Sequence, residues 1–204
     1  MHLKEHTKII VFRIFKAVKP FGLAIALIIV LQTTGLISSV SYFSQWAVLQ
    51  TGLKDASDEI VEGGEKFDYN FTIKDLSGKR INFEEFKGKV IFLNLWATWC
   101  GPCRAEMEGI QHLYTKLGKD KATFIMLSLD KDADTPKIVD YLKKKGFTFN
   151  AYQPSGYLTK QLSVPSIPTT FVIARDGNIV RKEVGTVRYD TPKFQKFLEG
   201  LTAN

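Results

Sequence analysis

Apolar positions in this chain recur at two periods, and the alternation between them outlines the fold. Phe67, Tyr69, Phe71 and Ile73 fall at period two, Ser77-Gly78 supplies a turn, and Ile81 and Phe83 return. That pattern predicts an N-terminal β-hairpin. Val90-Ile91-Phe92-Leu93-Asn94-Leu95 is a short apolar, β-branched run, as expected of a buried strand. After it, Met107, Ile110, Leu113, Tyr114 and Leu117 follow helical spacing until Gly118 ends the pattern. Residues 123–129 read as a second buried strand. Pro136 opens a helix carrying Ile138, Val139, Tyr141 and Leu142 and closed by Gly146. A short strand is predicted at 147–149 and a short helix at 157–162. Residues 169–174 and 178–184 form a hairpin around Asp176-Gly177. Thr191-Pro192 opens a last helix with Phe194, Phe197, Leu198 and Leu201 on one side. Strands and helices in this order predict an α/β fold with a mixed central sheet flanked by helices.

The first part of the chain obeys another rule. Residues 1–19 hold Lys4, Lys8, Arg13, Lys16 and Lys19 against Glu5, and from Pro20 to Leu53 there is no charged residue. Phe21 to Val40 is long enough for a helix of about 20 residues to cross a bilayer. Tyr42 and Trp46 suit the far interface, and the basic leader stays in the cytoplasm by the positive-inside rule. The expected division is a cytoplasmic basic leader at 1–19, a transmembrane anchor at 20–42, a linker at 43–64 and a globular domain at 65–204. Two alternatives stay open. Residues 21–31 are also the length of a signal-peptide core with Ser39-Val40-Ser41 as a cleavage site, and the segment also reads as a buried helix. Of the net charge of +7, the leader carries +4 (five bases less one acid), so the basic balance is a topology signal and not a nucleic-acid footprint.

The candidate chemistry lies between the central strand and the helix after it. Trp99-Cys100-Gly101-Pro102-Cys103 holds both cysteines of the 204 residues. Two residues between the cysteines let both sulfurs meet in the first turn of a helix and open and close a disulfide. There, unpaired amides and the helix dipole stabilise a thiolate. A structural zinc site needs four ligands, and the histidines are only His2, His6 and His112. Covalent haem needs a histidine after the second cysteine, where Arg104 stands. A static disulfide closing so small a ring would constrain little of the unfolded chain. Lys143-Lys144-Lys145 reads as a solvated helix end. No metal, nucleotide or flavin motif is present, so no cofactor beyond the cysteine pair is expected.

Residues 94–106, Asn-Leu-Trp-Ala-Thr-Trp-Cys-Gly-Pro-Cys-Arg-Ala-Glu, together with Val164-Pro-Ser-Ile-Pro-Thr-Thr-Phe-Val-Ile173 and Asp176-Gly177, resemble the thioredoxin superfamily. Within it the chain resembles the membrane-tethered TlpA/ResA-like thiol–disulfide oxidoreductases. The resemblance covers about residues 65–201 and implies a thioredoxin-like fold with a central α/β insertion between Asp130 and Tyr152. It implies that Cys100 is a partly exposed nucleophile and Cys103 the resolving thiol, and that Pro168 is a cis-proline exposing Ile167 to substrate. Where minimal thioredoxins carry a buried aspartate, this chain has Asn94, which cannot act as a base; Glu106, one turn after Cys103, matches the branch's substitute. Trp99, Gly101, Pro102, Ile167 and Thr169 are the expected substrate contacts, with Trp96 in the core. The implied activity is reduction of disulfides in exported proteins, apocytochromes among them, outside the cytoplasm, fed by a membrane thiol relay. Two other readings are a tethered binding or assembly factor and a peroxiredoxin-like peroxidase. The latter's Thr-x-x-Cys site is unmatched, because position 97 is Ala97.

Overall fold

Strand Ile91–Trp96 (β3) is buried at every position, and its alternate side chains enter two different hydrophobic clusters. Phe92 and Trp96 face one side of the sheet, and Ile91, Leu93 and Leu95 the other. A strand apolar on both faces needs a layer on each side. The computed structural model describes residues 36–56, 64–118 and 121–203, together with 21, 22, 25, 29 and 30.

Seven strands form one mixed sheet in the order β2-β1-β5-β4-β3-β6-β7. Here β1 is Thr72–Asp75, β2 Arg80–Asn82, β4 Thr123–Ser128, β5 Ala151–Pro154, β6 Thr169–Ile173 and β7 Ile179–Val184. β3, β4 and β5 run parallel, whereas β1, β6 and their outer neighbours pair antiparallel. After a first helix at Leu36–Gln50 (α1), one face of the sheet is covered by helix Gly101–Leu117 (α2), by Thr135–Lys145 (α3) and by Pro192–Ala203 (α4). The predicted stripe Met107, Ile110, Leu113, Tyr114 and Leu117 is the buried side of α2. The other face has no long helix among the described residues. Phe67, Tyr69, Phe71 and Phe83 cover it with a cluster of rings, Phe71 and Phe83 stacked at 4.3 Å.

The thioredoxin-like α/β fold is therefore as expected, with several local differences. The predicted strand at 147–149 forms no ladder, and pairing begins at Ala151. Its backbone is used elsewhere: Phe147 N–H donates to Leu142 O at 3.0 Å, closing α3, and Thr148 N–H donates to Gln111 Oε1 on α2 at 2.8 Å. Of the helix expected at 157–162, only one 3-10 turn forms, Lys160–Leu162. The N-terminal hairpin forms, but its first regular strand starts at Thr72, because Phe67 to Phe71 folds over the sheet face.

The expected linker at 43–64 is not free chain where it is described. Helix Leu36–Gln50 (α1) runs through its first part, and Leu49 and Ala56 are buried, since apolar side chains so close to a core face gain by covering it. Residues 57–63 lie outside the described residues, as do the leader at 1–19 and residues 20, 23, 24, 26–28 and 31–35 of the expected span at 20–42. Among the described residues, no helix is long and apolar enough to cross a membrane.

Candidate active site

β3 delivers the chain to the site. Beyond Trp96 the backbone turns through Ala97, Thr98 and Trp99, and Cys100 takes the N-cap position of α2. Pro102 stands in the first turn, where its missing N–H costs nothing. Cys100 and Cys103 are joined in a disulfide with Cα atoms 5.3 Å apart. Cys103 N–H donates to Cys100 Sγ at 3.1 Å, so the helix terminus already points a donor at the sulfur that would carry negative charge after reduction. Cys103 is fully buried. Cys100 is only 5% exposed, less than the partly open nucleophile expected from the sequence. The covering group is the loop before β6: the Ile167 carbonyl oxygen lies 3.8 Å from Cys100 Sγ, and the Ile167–Pro168 bond is cis.

The other expected contacts divide. Trp99 is 63% exposed, at the rim of the disulfide. Ile167 and Pro102 are half-buried, and Gly101 is buried in the first turn. Thr169 presents no side-chain surface to the solvent. It is fully buried, its backbone pairs with Leu95 and Val184 inside the sheet, and its hydroxyl donates to Ser166 O at 2.7 Å. Its place is therefore beneath the proline loop. Trp96 lies in the core, tilted against Tyr141.

Glu106 sits one turn behind Cys103 and is 1% exposed. Asn94 Nδ2 donates to its Oε1 at 2.8 Å, and the Val187 N–H donates to its Oε2 at 3.1 Å. Burial pushes the Glu106 carboxyl up to about 8, against these two donors, which favour the charged form. Tyr189, also fully buried, is held well above the usual phenol range, first by burial and then by the nearby Glu106. Asn94 Nδ2 donates as well to Thr170 Oγ1 at 2.9 Å, tying the carboxylate pocket to β6.

Three further residues hold this site, and sequence reasoning missed them. Asp130 is buried, and its carboxylate accepts from Thr98 N–H at 2.8 Å, Thr98 Oγ1 at 2.7 Å and Ser128 Oγ at 2.6 Å. The signal for it was present: β3 and β4 pair in parallel from Ile91↔Thr123 to Trp96↔Ser128, and extending that register sets Thr98 level with Asp130. Thr170 is readable as the neighbour of Asn94 once β6 is paired. The Val187 N–H, from an irregular segment, left no signal. Among the described residues, no cluster of three His, Cys, Asp or Glu side chains could hold a metal ion.

A helix-capping disulfide, a cis-proline loop against it and a sheet of this order define a thiol–disulfide oxidoreductase of the thioredoxin superfamily. Residues 62–198 match the model of the Redoxin family, and the chain belongs to that family, in its ResA-like branch. It is 34% identical over 134 residues to the thiol-disulfide oxidoreductase ResA of Bacillus thuringiensis subsp. konkukian, covering 65% of this chain and 75% of that protein. With the thioredoxin-like protein YneN of Bacillus subtilis it shares 30% identity over 145 residues, 71% of this chain and 84% of the other. The crystal structure of StoA from Bacillus subtilis superposes with a TM-score of 0.51 at 25% identity, over 62% of this chain and 95% of that one. A DsbF homologue from Corynebacterium diphtheriae does so with a TM-score of 0.55 at 25% identity, over 71% and 91%.

Proposed function

We propose that this chain is a membrane-anchored reductase of disulfides in exported proteins, with its catalytic domain outside the cytoplasm. The Cys100 thiolate attacks one sulfur of a substrate disulfide, and the other substrate sulfur leaves as a thiolate. Cys103 passes its proton to the Glu106 carboxylate and attacks Cys100 Sγ, releasing the first substrate sulfur as a second thiolate. Two electrons have moved to the substrate and the protein is left as the Cys100–Cys103 disulfide.

The observation that carries this reading is Glu106, buried one turn behind Cys103. A carboxyl near 8 is matched to an ordinary thiol near 8.5, so proton exchange between them runs with almost no uphill step. An ordinary surface glutamate would be too weak a base by about four pH units. The Gly101-Pro102 pair, by its resemblance to reducing thioredoxins, favours the reducing direction. Trp99 and the Ile167 backbone are the proposed substrate contacts. The basic leader and the uncharged run from Pro20 to Leu53 favour an uncleaved anchor with the N-terminus in the cytoplasm. An extracytoplasmic reductase must be recharged across the membrane, so a membrane thiol relay is the proposed electron donor. An apocytochrome, whose haem-binding cysteines must be reduced before attachment, is the first client to test.

The test is the reduction potential of the Cys100/Cys103 couple in the full-length protein. A value near −270 mV or below supports the reductase, and a value near −120 mV, about five tenfold steps more oxidising, overturns it in favour of disulfide formation. Cys103→Ser should trap exported proteins as mixed disulfides at Cys100. A complete absence of trapped species would favour a binding or assembly factor.

A further inference from the structure

Between β7 and α4 the chain runs through residues 185–190 outside the named strands, yet this segment bonds to the proline loop, to the first turn of α2 and to Glu106. Gly185 N–H donates to Pro168 O at 2.8 Å, the Thr186 hydroxyl to Pro102 O at 3.4 Å, and Val187 N–H to Glu106 Oε2 at 3.1 Å. Such a segment needs something on its outer side to stay extended, because an unpaired backbone next to solvent has many other conformations. Residues 54–56 supply it. Arg188 N–H donates to Lys54 O at 2.8 Å, and Ala56 N–H donates to Arg188 O at 2.9 Å, a parallel bridge centred on Asp55 and Arg188. Among the described residues this is the segment's one strand-like pairing. The Arg188 guanidinium adds ion pairs to Asp55 at 3.6 Å and to Asp190 at 3.2 Å.

The strap is itself anchored. Ala56 is buried in the helix-side core, and Leu49 is buried where the end of α1 meets α2. The Tyr42 ring lies against Arg104 and Lys145, at 5.8 and 5.7 Å.

We propose that residues 54–56 are a positioning element of the redox site: by clamping both backbone groups of Arg188, they hold the adjacent Val187 N–H on Glu106. The inference rests on the reading of Glu106 as the proton holder. Glu106 accepts from Asn94 on β3, whose amide also reaches Thr170 on β6; Tyr189 of the clamped segment feels its charge, and Cys103 precedes it by one turn on the same helix. On its outer side a cavity of about 230 Å³ is bordered by Glu108, His112, Arg188 and Asp190. Of the two donors on the carboxylate, only the Val187 N–H comes from a segment without sheet pairing. Releasing the clamp removes a donor that favours the charged form, so Glu106 then holds its proton to higher pH.

The experiment follows the infrared C=O band of a protonated buried carboxyl against pH, in the oxidised full-length protein in detergent. Glu106→Gln identifies the band by removing it. Ala56→Pro deletes the strap's N–H donor, and Asp55→Asn weakens the clamp without touching the backbone. Phe83→Ala, on the opposite sheet face, lowers stability without touching the clamp. The expected result is an upward move of the band's midpoint by about half a pH unit or more in Ala56→Pro, a smaller upward move in Asp55→Asn, and none in Phe83→Ala. If Ala56→Pro does not fold, Asp55→Asn decides. An unmoved or lowered midpoint in the strap variants, with the band still lost in Glu106→Gln, overturns the positioning role and leaves Glu106 as proton holder. A band that survives Glu106→Gln overturns both.

Discussion

Asn94 Nδ2 and Glu106 Oε1 are 2.8 Å apart, an amide on the central strand donating to a carboxyl on the active-site helix. An amide cannot take a proton, so the strand position holds the carboxyl in place and only the helix position titrates. The same Nδ2 reaches Thr170, which ties the carboxyl to two strands as well as to its own helix. Burial sets the proton affinity of Glu106, and its two donors moderate it.

Stability should fall as pH rises because of this one group. Glu106 ionises near 4.5 when unfolded and near 8 in the native state, so between these values the unfolded chain has lost a proton that the native one keeps. The stabilising contribution is whole below about 4.5 and gone above about 8, amounting at full extent to about 5 kcal/mol. Thermal melts of the oxidised full-length protein between pH 5 and pH 9 (on the order of two units either side of neutrality) should show the decline, and Glu106→Gln should flatten it. In turnover, Glu106→Gln should slow resolution of the mixed disulfide on the order of 10²-fold.

Asp130→Ala should destabilise the fold by about 2–4 kcal/mol, because it strips the acceptor from the Thr98 N–H, the Thr98 hydroxyl and the buried Ser128 hydroxyl together. Asp130→Asn keeps one carbonyl acceptor and should cost roughly half as much. Chemical denaturation measures both. Thr98 precedes Trp99 and Cys100, so thiol reactivity at Cys100 should change in the alanine variant even where the protein is fully folded.

Phe83→Ala should cost about 3–5 kcal/mol. The ring is fully buried, stacked at 4.3 Å on Phe71 and 5.5 Å from Phe67, on a face where no long helix among the described residues can move in to fill the space. The reduction potential should stay at the wild-type value, since the disulfide lies on the other side of the sheet.

Trp99→Ala should leave stability within about 0.5 kcal/mol, because the side chain is 63% exposed. If its role is to receive a substrate chain, turnover of a protein disulfide such as that of insulin should drop, while reduction of a small aromatic disulfide continues. Equal loss on both substrates would assign Trp99 to the thiol chemistry instead.

Much of this arrangement was legible in the chain. A period-3.6 stripe located the Cys100–Cys103 helix, because burial on one face imposes its period on the residues that do it; an unbroken apolar run located the central strand, and the turn at Asp176-Gly177 the final hairpin. Cys100 and Cys103 stood out by a motif whose spacing is local, and Glu106 and Pro168 by the resemblance of residues 94–106 and 164–173 to a known family. Phe147 to Phe149 misled for a physical reason: apolar side chains there fill the core as a strand's would, while their backbone groups close α3 and bind Gln111. Thr169 differs from the expectation because one position beyond the proline loop the chain is already inside the sheet.

The sequence by itself determined what depends on neighbours along the chain: the helix-capping cysteine pair, the turn at Asp176-Gly177, the sheet's apolar strands and the glutamate one turn past Cys103. Only the tertiary structure decided what depends on distant segments meeting. Val187 lies 81 positions from the carboxyl it donates to, Asp130 lies 32 from the Thr98 it anchors, and Arg188 meets a strap that composition alone presents as linker. Backbone N–H groups are the same in every residue but proline, so no residue type announces which one will point at a buried carboxylate. That choice is made when the two sides of the core close on each other and every buried polar group must find its partner.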